Sequence, residues 1–469
     1  MNEPTVQRTG IPGLLLVQLP VHEDARGWFK ENWQREKMVA AGLPDFRPVQ
    51  NNVSFNRNPG TTRGIHAEPW DKYVAVVGGE VFGAWVDLRA GEGFGKSFST
   101  RLGPGQAVFV PRGVGNGFQT LAPDTGYSYL VTEHWTEAAR DKYTFLNLAD
   151  AQANIPWPIA LEQATVSDAD RGHPHLAGVR PVAPPRTLVL GANGQVGRAL
   201  AALAPADGYD FRSRAQLDIA DPAQLAAVDF SAYATVINAA AYTRVDAAET
   251  AEGRREAWST NVTALAALAA ACTRHDLTLV HLSSDYVFDG ERTVHTEDED
   301  PSPLGVYGQT KAAGDAIVAG VAKHYVVRTS WVVGDGNNFV ATMAGLAGRG
   351  IDPAVVDDQV GRLGFATDVA SGILHLLEAR PPAGTYNLSN SGEPASWARI
   401  AAEVFTVLGQ DPGRITPTST AAYYGSRPGI APRPANSTLD LAKIGAAGFA
   451  PRDQFEALAD YLAGYRAEA

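Results

Sequence analysis

Cysteine is nearly absent from this sequence: among 469 residues, Cys272 is the single one. One thiol cannot build a disulfide framework, and such scarcity is typical of proteins from a reducing cytoplasm. Uncharged apolar runs of about 18 residues are also lacking, which predicts that no helix spans a membrane. The N-terminal stretch MNEPTVQRTG has no apolar core of the kind found in signal peptides. We therefore expect a cytoplasmic protein.

Positive charge is the scarcer sign, with 39 Lys and Arg residues against 51 Asp and Glu residues, a net charge of -12. This balance argues against nucleic acid or an anionic membrane surface as the main partner. Hydrophobic residues make up 45% of the chain, enough for sizeable cores, and the length suggests two or three domains.

The hydrophobic period changes near residue 175. Before it, KYVAVVGGEVFGAWVDLR (72–89) has two alternating apolar runs around Gly78 and Gly79, which predicts a β-hairpin. QAVFVP (106–111) and GYSYLVTEHW (126–135) predict further strands, so we expect an all-β sandwich or barrel of the jelly-roll kind. The proline-rich stretch 173–187 indicates a connection, and we predict a linker at 176–186 between domains 1–175 and 187–469.

After the linker, apolar strand patterns alternate with Ala-rich helical patterns. TLVLGANGQVGRALAAL (187–203) predicts a strand, a glycine turn and a helix, and ATVINAAAY, LTLVHLSSD and YVVRTSWVVG predict later strands. Such alternation is typical of a parallel sheet with helices on both faces. We therefore predict an α/β Rossmann-type, doubly wound second domain with a small substrate-binding portion.

Three glycines in this half indicate a dinucleotide site. Gly191, Gly194 and Gly197 follow the first strand and open a helix, where glycine lets the backbone approach a pyrophosphate and the helix N-terminus offers N–H groups. Glycines also serve ordinary turns, so the strand-turn-helix context carries the prediction.

The hexapeptide VYGQTK (306–311) adds an acid and a cation. Tyr307 and Lys311 are four residues apart and share one face of a helix, where the ammonium favours the phenolate. Ser283 and Ser284 end a predicted strand, the edge where open α/β sheets bind ligands, although serines there also cap turns. A hydroxyl, a phenol and a lysine beside a dinucleotide fit hydride transfer to a carbonyl.

The second half resembles the extended short-chain dehydrogenases, most closely the dTDP-4-dehydrorhamnose reductase family. The matching stretches include GANGQVGRAL, INAAAYTRVDAAE, SSDYVFDG, VYGQTK and DDQVGRLGFATDVA. The resemblance implies Tyr307 as general acid, Lys311 as its partner and Ser284 as the hydroxyl. It also implies a cofactor, NADPH with NADH as the alternative, bound by Gly191, Gly194, Gln195, Val196, Gly197, Arg212, Ser213, Asp218, Ile219, Ala239, Ala240, Tyr307 and Lys311. Arg212, with Arg214, would favour the 2′-phosphate.

The first half has chemistry of its own. TTRGIHAEPWDKYV (61–74) sets Arg63, His66 and Lys72 on or beside a strand, and a histidine can take up a proton at neutral pH. A lone histidine is more often structural, but Asp170 could orient this one. Arginine and lysine together suit a nucleotide diphosphate.

These segments resemble the dTDP-4-dehydrorhamnose 3,5-epimerase family, a cupin-like jelly roll, over about residues 10–175. The resemblance implies His66 as base, Asp170 as its dyad partner, Lys72 as the cation beside the enolate and Tyr129 as proton donor. It implies that the nucleotide sugar is bound by Arg26, Phe29, Glu31, Gln50, Asn52 and Arg63. It also implies a homodimer formed through the cupin domain.

A metal site is the rival interpretation of this half. His66 and Glu68 offer two ligands, but Asn116 stands where a metal-binding cupin would supply histidine, and two ligands make a poor site. We expect no catalytic metal.

The two resemblances together predict a bifunctional enzyme that makes dTDP-L-rhamnose from a nucleotide-linked 4-keto-6-deoxy sugar. The alternatives are a UDP-sugar or other deoxysugar version, and an active reductase carrying a non-catalytic, dimerising cupin domain. A nucleotide-sensing protein is disfavoured by the set Ser284, Tyr307 and Lys311.

Overall fold

The computed structural model describes residues 3–205, 207–425, 427 and 429–464. The chain forms two compact units that divide between Pro184 and Pro185. None of the helices in these ranges is long and apolar enough to cross a bilayer.

The division between the units lies within the predicted linker of 176–186, and much of this stretch packs on the first unit. Leu176 and Val179 are buried in a core of the first unit, and Val182 pairs with Arg89 in a β-bridge. Arg186 already begins the first strand of the second unit. Proline excludes regular helix here but does not prevent packing of the apolar side chains between the prolines.

The first unit is built mainly of strands. They are β1 (Thr5–Arg8), β2 (Leu15–Gln18), β3 (His22–Asp24), β4 (Gly27–Phe29), β5 (Gln50–Asn56), β6 (Thr62–Ala67), β7 (Lys72–Gly78), β8 (Val81–Asp87), β9 (Ser97–Leu102), β10 (Gln106–Val110), β11 (Val114–Thr120), β12 (Thr125–Val131) and β13 (Thr144–Phe145). Its helices are α1 (Arg35–Ala40) and α2 (Asp168–Arg171), with 3-10 turns at Glu137–Lys142 and Leu176–Gly178.

Two antiparallel sheets make up the body of this unit. One has the order β1-β2-β10-β7-β12-β5 and the other the order β13-β6-β11-β8-β9. Val74 and Val108 of the first sheet share a buried cluster with Trp85 and Phe118 of the second. The core therefore lies between two sheets packed face to face.

The predicted hairpin at 72–89 is wrong. β7 and β8 are consecutive strands, but β7 pairs with β10 and β12 whereas β8 pairs with β9 and β11. The turn at Gly79 (φ 77°) carries the chain from one sheet to the other. Val81–Asp87 is buried at every residue, so the strand lacks the solvent-facing side that a free hairpin would have.

The second unit alternates strands and helices. Its strands are β14 (Arg186–Leu190), β15 (Tyr209–Arg212), β16 (Tyr233–Asn238), β17 (Thr278–Ser284), β18 (His324–Thr329), β19 (Val332–Val333), β20 (Ala354–Val356), β21 (Val360–Gly361), β22 (Gly364–Phe365), β23 (Gly384–Asn387), β24 (Ala395–Ser396) and β25 (Thr416–Thr418). Its helices are α3 (Gln195–Leu203), α4 (Pro222–Ala226), α5 (Ala251–Trp258), α6 (Leu265–Arg274), α7 (Val306–Ala319), α8 (Phe339–Gly348), α9 (Ala366–Ala379), α10 (Trp397–Val407), α11 (Thr420–Tyr424), α12 (Ala442–Ala446) and α13 (Gln454–Gly464), with a π-helical turn at Ser259–Ala264.

A six-stranded sheet of order β15-β14-β16-β17-β18-β23 organises this unit, and all its pairings are parallel. This confirms the predicted parallel sheet. Separate apolar clusters pack around it: one is centred on Leu188, Val236 and Leu279, the other on Val189, Ile237 and Val280. Because neighbouring residues of a strand point to opposite faces, both faces of the sheet are covered.

Two candidate active sites

The first candidate site is built around His66, on β6. Its Nε2 lies 2.8 Å from Oδ1 of Asp170, a residue 104 positions later in the sequence. Asp170 belongs to the short helix α2, whose N-cap Ser167 accepts a hydrogen bond from the Asp170 N–H. A carboxylate can only accept, so His66 donates through Nε2 and its Nδ1 is left as a base.

Asp170 is buried yet remains a carboxylate. Burial raises its pKa, but the hydrogen bond and charge of His66, together with Ser167 and His173, bring the pKa below the ordinary value. A buried anion beside an imidazole stabilises the imidazolium that forms when the imidazole takes up a proton. The pair thus has the arrangement of a general base with its orienting group.

A second histidine shares this carboxylate. Nε2 of His173 lies 3.2 Å from the same Oδ1 of Asp170, and its ring stacks on Phe145 at 4.5 Å. Burial, followed by the charge of His66, lowers the pKa of His173. Sequence reasoning missed His173, although the spacing from Asp170 in DADRGHP places it one turn away.

Lys72 and Glu68 form a buried ion pair beside the histidine. Nζ of Lys72 lies 2.9 Å from Oε2 of Glu68, which also accepts from Nε1 of Trp70 at 2.9 Å. Lys72 is 3% exposed, so its charge is held in a low-dielectric setting where it acts strongly on a developing anion.

Two tyrosines of β12 complete this site. Burial, with the charge of Glu68, raises the pKa of Tyr129, which therefore stays a phenol able to donate a proton. Burial also raises the pKa of Tyr127, whose hydroxyl donates to Oδ1 of Asn116 at 3.1 Å.

One cavity collects most of these side chains. It is lined by Ser54, Arg63, Gly64, His66, Glu68, Lys72, Asn116, Phe118, Tyr127, Tyr129 and Asp170. The structure therefore brings together the predicted residues Arg63, His66, Lys72, Tyr129 and Asp170.

The other predicted sugar-binding residues lie elsewhere. Gln50 and Asn52 alternate along β5 on the same side as the cavity-lining Ser54 and are joined by a 2.8 Å hydrogen bond. Arg26 and Phe29 are exposed around the β3–β4 hairpin, where Arg26 pairs with Asp24. Glu31 follows that hairpin and pairs with Lys37. The structure does not bring Arg26, Phe29 and Glu31 into the cavity of their own chain.

The second candidate site lies where β17 ends. Ser284 is the last residue of that strand, its hydroxyl donates to Oδ1 of Asp285 at 2.9 Å, and it caps the following 3-10 turn. Tyr307 is in the first turn of α7, and Lys311 lies one turn later on the same face. Burial raises the pKa of Tyr307 to about 12, and a hydrogen bond with Ser284 lowers it in part. The structure thus brings Ser284 to the phenol, as predicted.

Lys311, one turn further along α7, is almost fully buried. Its Nζ donates to the carbonyl oxygen of Leu282 at 2.6 Å and lies 3.1 Å from Nε2 of His281. Burial lowers the pKa of Lys311 to about 8, against the opposing charge of Asp315. Burial raises the pKa of Asp285 to about 6, in part offset by Ser437 and Ser284. Sequence reasoning missed Asp285, which follows the serine pair in VHLSSD, and His281, which lies two residues before that pair.

The glycine turn after β14 packs closely against the neighbouring backbone and leads into the N-terminus of α3. Gly191 has φ +79° and a Cβ there would lie 2.7 Å from the backbone of Ala239 and Ala240, so a side chain is excluded. A Cβ on Gly197 would lie 2.3 Å from the Gly191 oxygen. Gly194 caps α3 without a side-chain hydrogen bond, which leaves the first N–H groups of the helix, including those of Gln195 and Val196, for a ligand. These residues fit a dinucleotide.

The residues predicted at the adenosine end lie at the end of β15 and after it. Arg212 is held by Asp210 at 2.8 Å, and the exposed Arg214 pairs with Asp218 at 3.0 Å. The Ser213 hydroxyl donates to Gln216, and Ile219 is buried in a core cluster.

Comparison with known families agrees with the division of the chain into two units. A family model described as RmlD substrate binding domain matches residues 185–467. A model described as dTDP-4-dehydrorhamnose 3,5-epimerase matches residues 8–178. The chain belongs to both families. It therefore combines an epimerase-family unit with a Rossmann reductase-family unit, as the two resemblances predicted.

Individual relatives match one unit each. A Streptococcus pyogenes protein named RmlC homolog is 51% identical over 179 residues, which cover 37% of this chain and 90% of that protein. A dTDP-4-dehydrorhamnose reductase of Mycolicibacterium smegmatis is 36% identical over 301 residues, covering 62% of this chain and 89% of that protein. A crystal structure of dTDP-4-dehydrorhamnose reductase from Bacillus anthracis in complex with NADP is 32% identical, with a TM-score of 0.54, and the match covers 59% of this chain and 98% of that one.

Proposed function

We propose that this chain is a bifunctional enzyme of dTDP-L-rhamnose synthesis. Its first unit would epimerise dTDP-4-keto-6-deoxy-D-glucose at C3 and C5, and its second unit would reduce the 4-keto group with NADPH. The observation that carries the proposal is that one chain holds both the His66–Asp170 pair in a polar cavity and the set Ser284, Tyr307 and Lys311. The family memberships of both units support it.

In the first unit, which we propose is a cupin-like jelly roll, Nδ1 of His66 removes the proton next to the ketone. Asp170 stabilises the resulting imidazolium, and Lys72 stabilises the negative charge that develops on the ketone oxygen. Tyr129, kept as a phenol by burial, returns a proton to carbon. Arg63 at the cavity wall suits the diphosphate.

In the second unit, the glycine turn and the start of α3 would hold NADPH, which supplies the hydride. Ser284 and Tyr307 bind the ketone oxygen, and Tyr307 gives that oxygen its proton. Lys311 stabilises the phenolate that is left. Arg212 and Arg214 would favour the 2′-phosphate, with NADH as the alternative cofactor.

The buried charges of the first unit argue against one of the alternatives from the sequence. A non-catalytic cupin module would have no use for Lys72 and Glu68 inside an apolar unit, because burying an ion pair costs free energy that packing residues would avoid. A UDP-sugar would require only a different contact to the base, and remains an alternative substrate. Exposed apolar residues support a homodimer through the first unit: Phe29 is 68% exposed, Val53 63% and Phe55 60%.

The proposal is tested by incubating the protein with dTDP-4-keto-6-deoxy-D-glucose and NADPH and identifying the product by NMR. We expect dTDP-L-rhamnose, with one NADPH oxidised per sugar. A product reduced at C4 but unchanged at C3 and C5 would support the non-catalytic cupin alternative. A parallel assay with the UDP-sugar distinguishes the two nucleotides.

Removal of metal should leave epimerisation unchanged. The one His and Asp group in the described ranges with ligand atoms close enough for an ion is His66, Asp170 and His173, all within 4.8 Å. Both imidazoles already lie at hydrogen-bond distance from the carboxylate, so no ion is needed to hold the site. After EDTA treatment and desalting, we expect deuterium uptake from heavy water into the sugar at the untreated rate. A loss that zinc or iron restores would contradict this.

A further inference from the structure

The proposed reaction gives no role to His281, which lies directly behind Lys311. His281 is on β17 and is 1% exposed. Its Nε2 is 3.1 Å from Nζ of Lys311, and its Nδ1 is 3.1 Å from Nδ2 of Asn238 on β16.

The donors and acceptors around His281 fix its tautomer. The N–H of Ala240 donates to Oδ1 of Asn238 at 3.2 Å, so the amide nitrogen of Asn238 is the atom that faces His281. An amide nitrogen only donates, and therefore Nδ1 of His281 is the acceptor. A neutral imidazole with a bare Nδ1 carries its proton on Nε2, which faces Lys311.

This orientation has a consequence for the lysine. An N–H that faces Nζ requires a lone pair, which the amine has and the ammonium lacks. We infer that His281 is a positioning residue, which holds Nζ of Lys311 through its Nε2–H and favours the amine form, so that Lys311 readily gives up a proton. The inference deepens the proposed reductase function and rests on it.

The charges near Lys311 agree with this role. Asp315, one turn along α7, is the carboxylate that favours the ammonium, but it is paired with Arg328 of β18 at 2.9 Å. Tyr307, on the same helix, is a neutral phenol, and the charge of Asp285 acts on it. Burial, and then the charge of Lys311, lowers the pKa of His281 well below its ordinary value, so His281 stays neutral.

The path of the proton during the reduction shows how His281 affects Lys311. Tyr307 loses its proton to the ketone oxygen as the carbon receives hydride, which leaves a phenolate. The Lys311 ammonium then passes a proton to that phenolate. The amine that remains accepts the hydrogen bond from His281, and it regains a proton from water after the product leaves. His281 therefore stabilises Lys311 in the state that follows proton transfer.

NMR of the protein without ligands tests the tautomer independently of any activity. With ¹⁵N-histidine labelling, the ten histidines give separate ring signals, and His281→Gln assigns one of them. We expect a neutral ring, protonated at Nε2, at about pH 9, where Lys311 is an amine. A ring protonated at Nδ1, or a cation, would overturn the inference even if the reductase function holds.

The pH dependence of reduction tests the effect on Lys311. The rate should fall as pH rises through the pKa of Lys311, and His281→Leu should move that fall upward by about one pH unit, because the amine loses its donor. His281→Gln, whose amide N–H can replace Nε2–H, should restore the original position. His295→Gln is the matched control, because His295 is equally buried but contacts Glu299 and Asn436.

A shift to lower pH in His281→Leu would overturn the inference, since it would mean that His281 accepts from the ammonium. ¹⁵N-lysine NMR of Nζ gives the same pKa comparison if the substrate is not reduced. A failed reductase assay with the expected tautomer and titration would therefore count against the proposed function alone. If His281→Leu does not fold, the wild-type tautomer still decides.

Discussion

Replacing Tyr307 by phenylalanine should slow NADPH oxidation by about 10²- to 10⁴-fold, the usual contribution of a positioned general acid. The phenol is near Ser284 and keeps its proton at neutral pH, so its removal takes away the proton donor. Deuterium should still enter the sugar at C3 and C5 in heavy water, because the first unit is unchanged. Stopped-flow absorbance of NADPH and NMR of the sugar measure the two steps separately.

Tyr386→Phe is the matched control for this change. Tyr386 is a buried tyrosine of the same unit, and its hydroxyl donates to the carbonyl of Pro382 rather than to the site. It should oxidise NADPH at the original rate. If Tyr307→Phe oxidised NADPH as fast as Tyr386→Phe, Tyr307 would not be the acid.

Replacing His66 by asparagine should reduce deuterium uptake by about 10²- to 10⁴-fold, since no other base faces the carbon in the proposed arrangement. Asparagine can still hydrogen-bond to Asp170, so the buried carboxylate keeps a partner and the unit should fold. NADPH oxidation should also fall, because the reductase would lack its epimerised substrate. The control is His175→Asn, because the His175 side chain is 62% exposed and lies outside the cavity lining.

Mixing the Tyr307→Phe and His66→Asn variants distinguishes loss of catalysis from loss of folding. Tyr307→Phe supplies an intact first unit and His66→Asn an intact second unit, so the mixture should restore turnover if the intermediate diffuses freely. Undiminished deuterium uptake by His66→Asn alone would remove the epimerase assignment from the first unit.

The sequence predicted best those features that short segments decide. The strand, glycine turn and helix predicted at 187–203 are confirmed, as is the helix that carries Tyr307 and Lys311. Glycine placement and the spacing of apolar residues act within a few residues of the chain. The strand that ends at Ser284 is confirmed for the same reason.

Features that depend on contacts between residues far apart in the sequence could not be predicted. The sequence did not reveal that β7 and β8 belong to different sheets, because the partner strands that separate them are remote in the chain. Nor could residue spacing show that Asp170 accepts from His66, which is 104 positions earlier. The interior position of His281 followed only from the packing of α7 on β17.

The distance along the chain between His66 and Asp170 also sets an order of events during synthesis. The two residues are 104 positions apart. At a ribosomal rate of about 5–20 residues per second, Asp170 is therefore synthesised roughly 5–20 s after His66. All thirteen strands of the first unit end by Phe145, before Asp170 is made. The strands of both sheets are thus synthesised before the carboxylate of the proposed epimerase site, so this site is completed later than the sheets that carry His66.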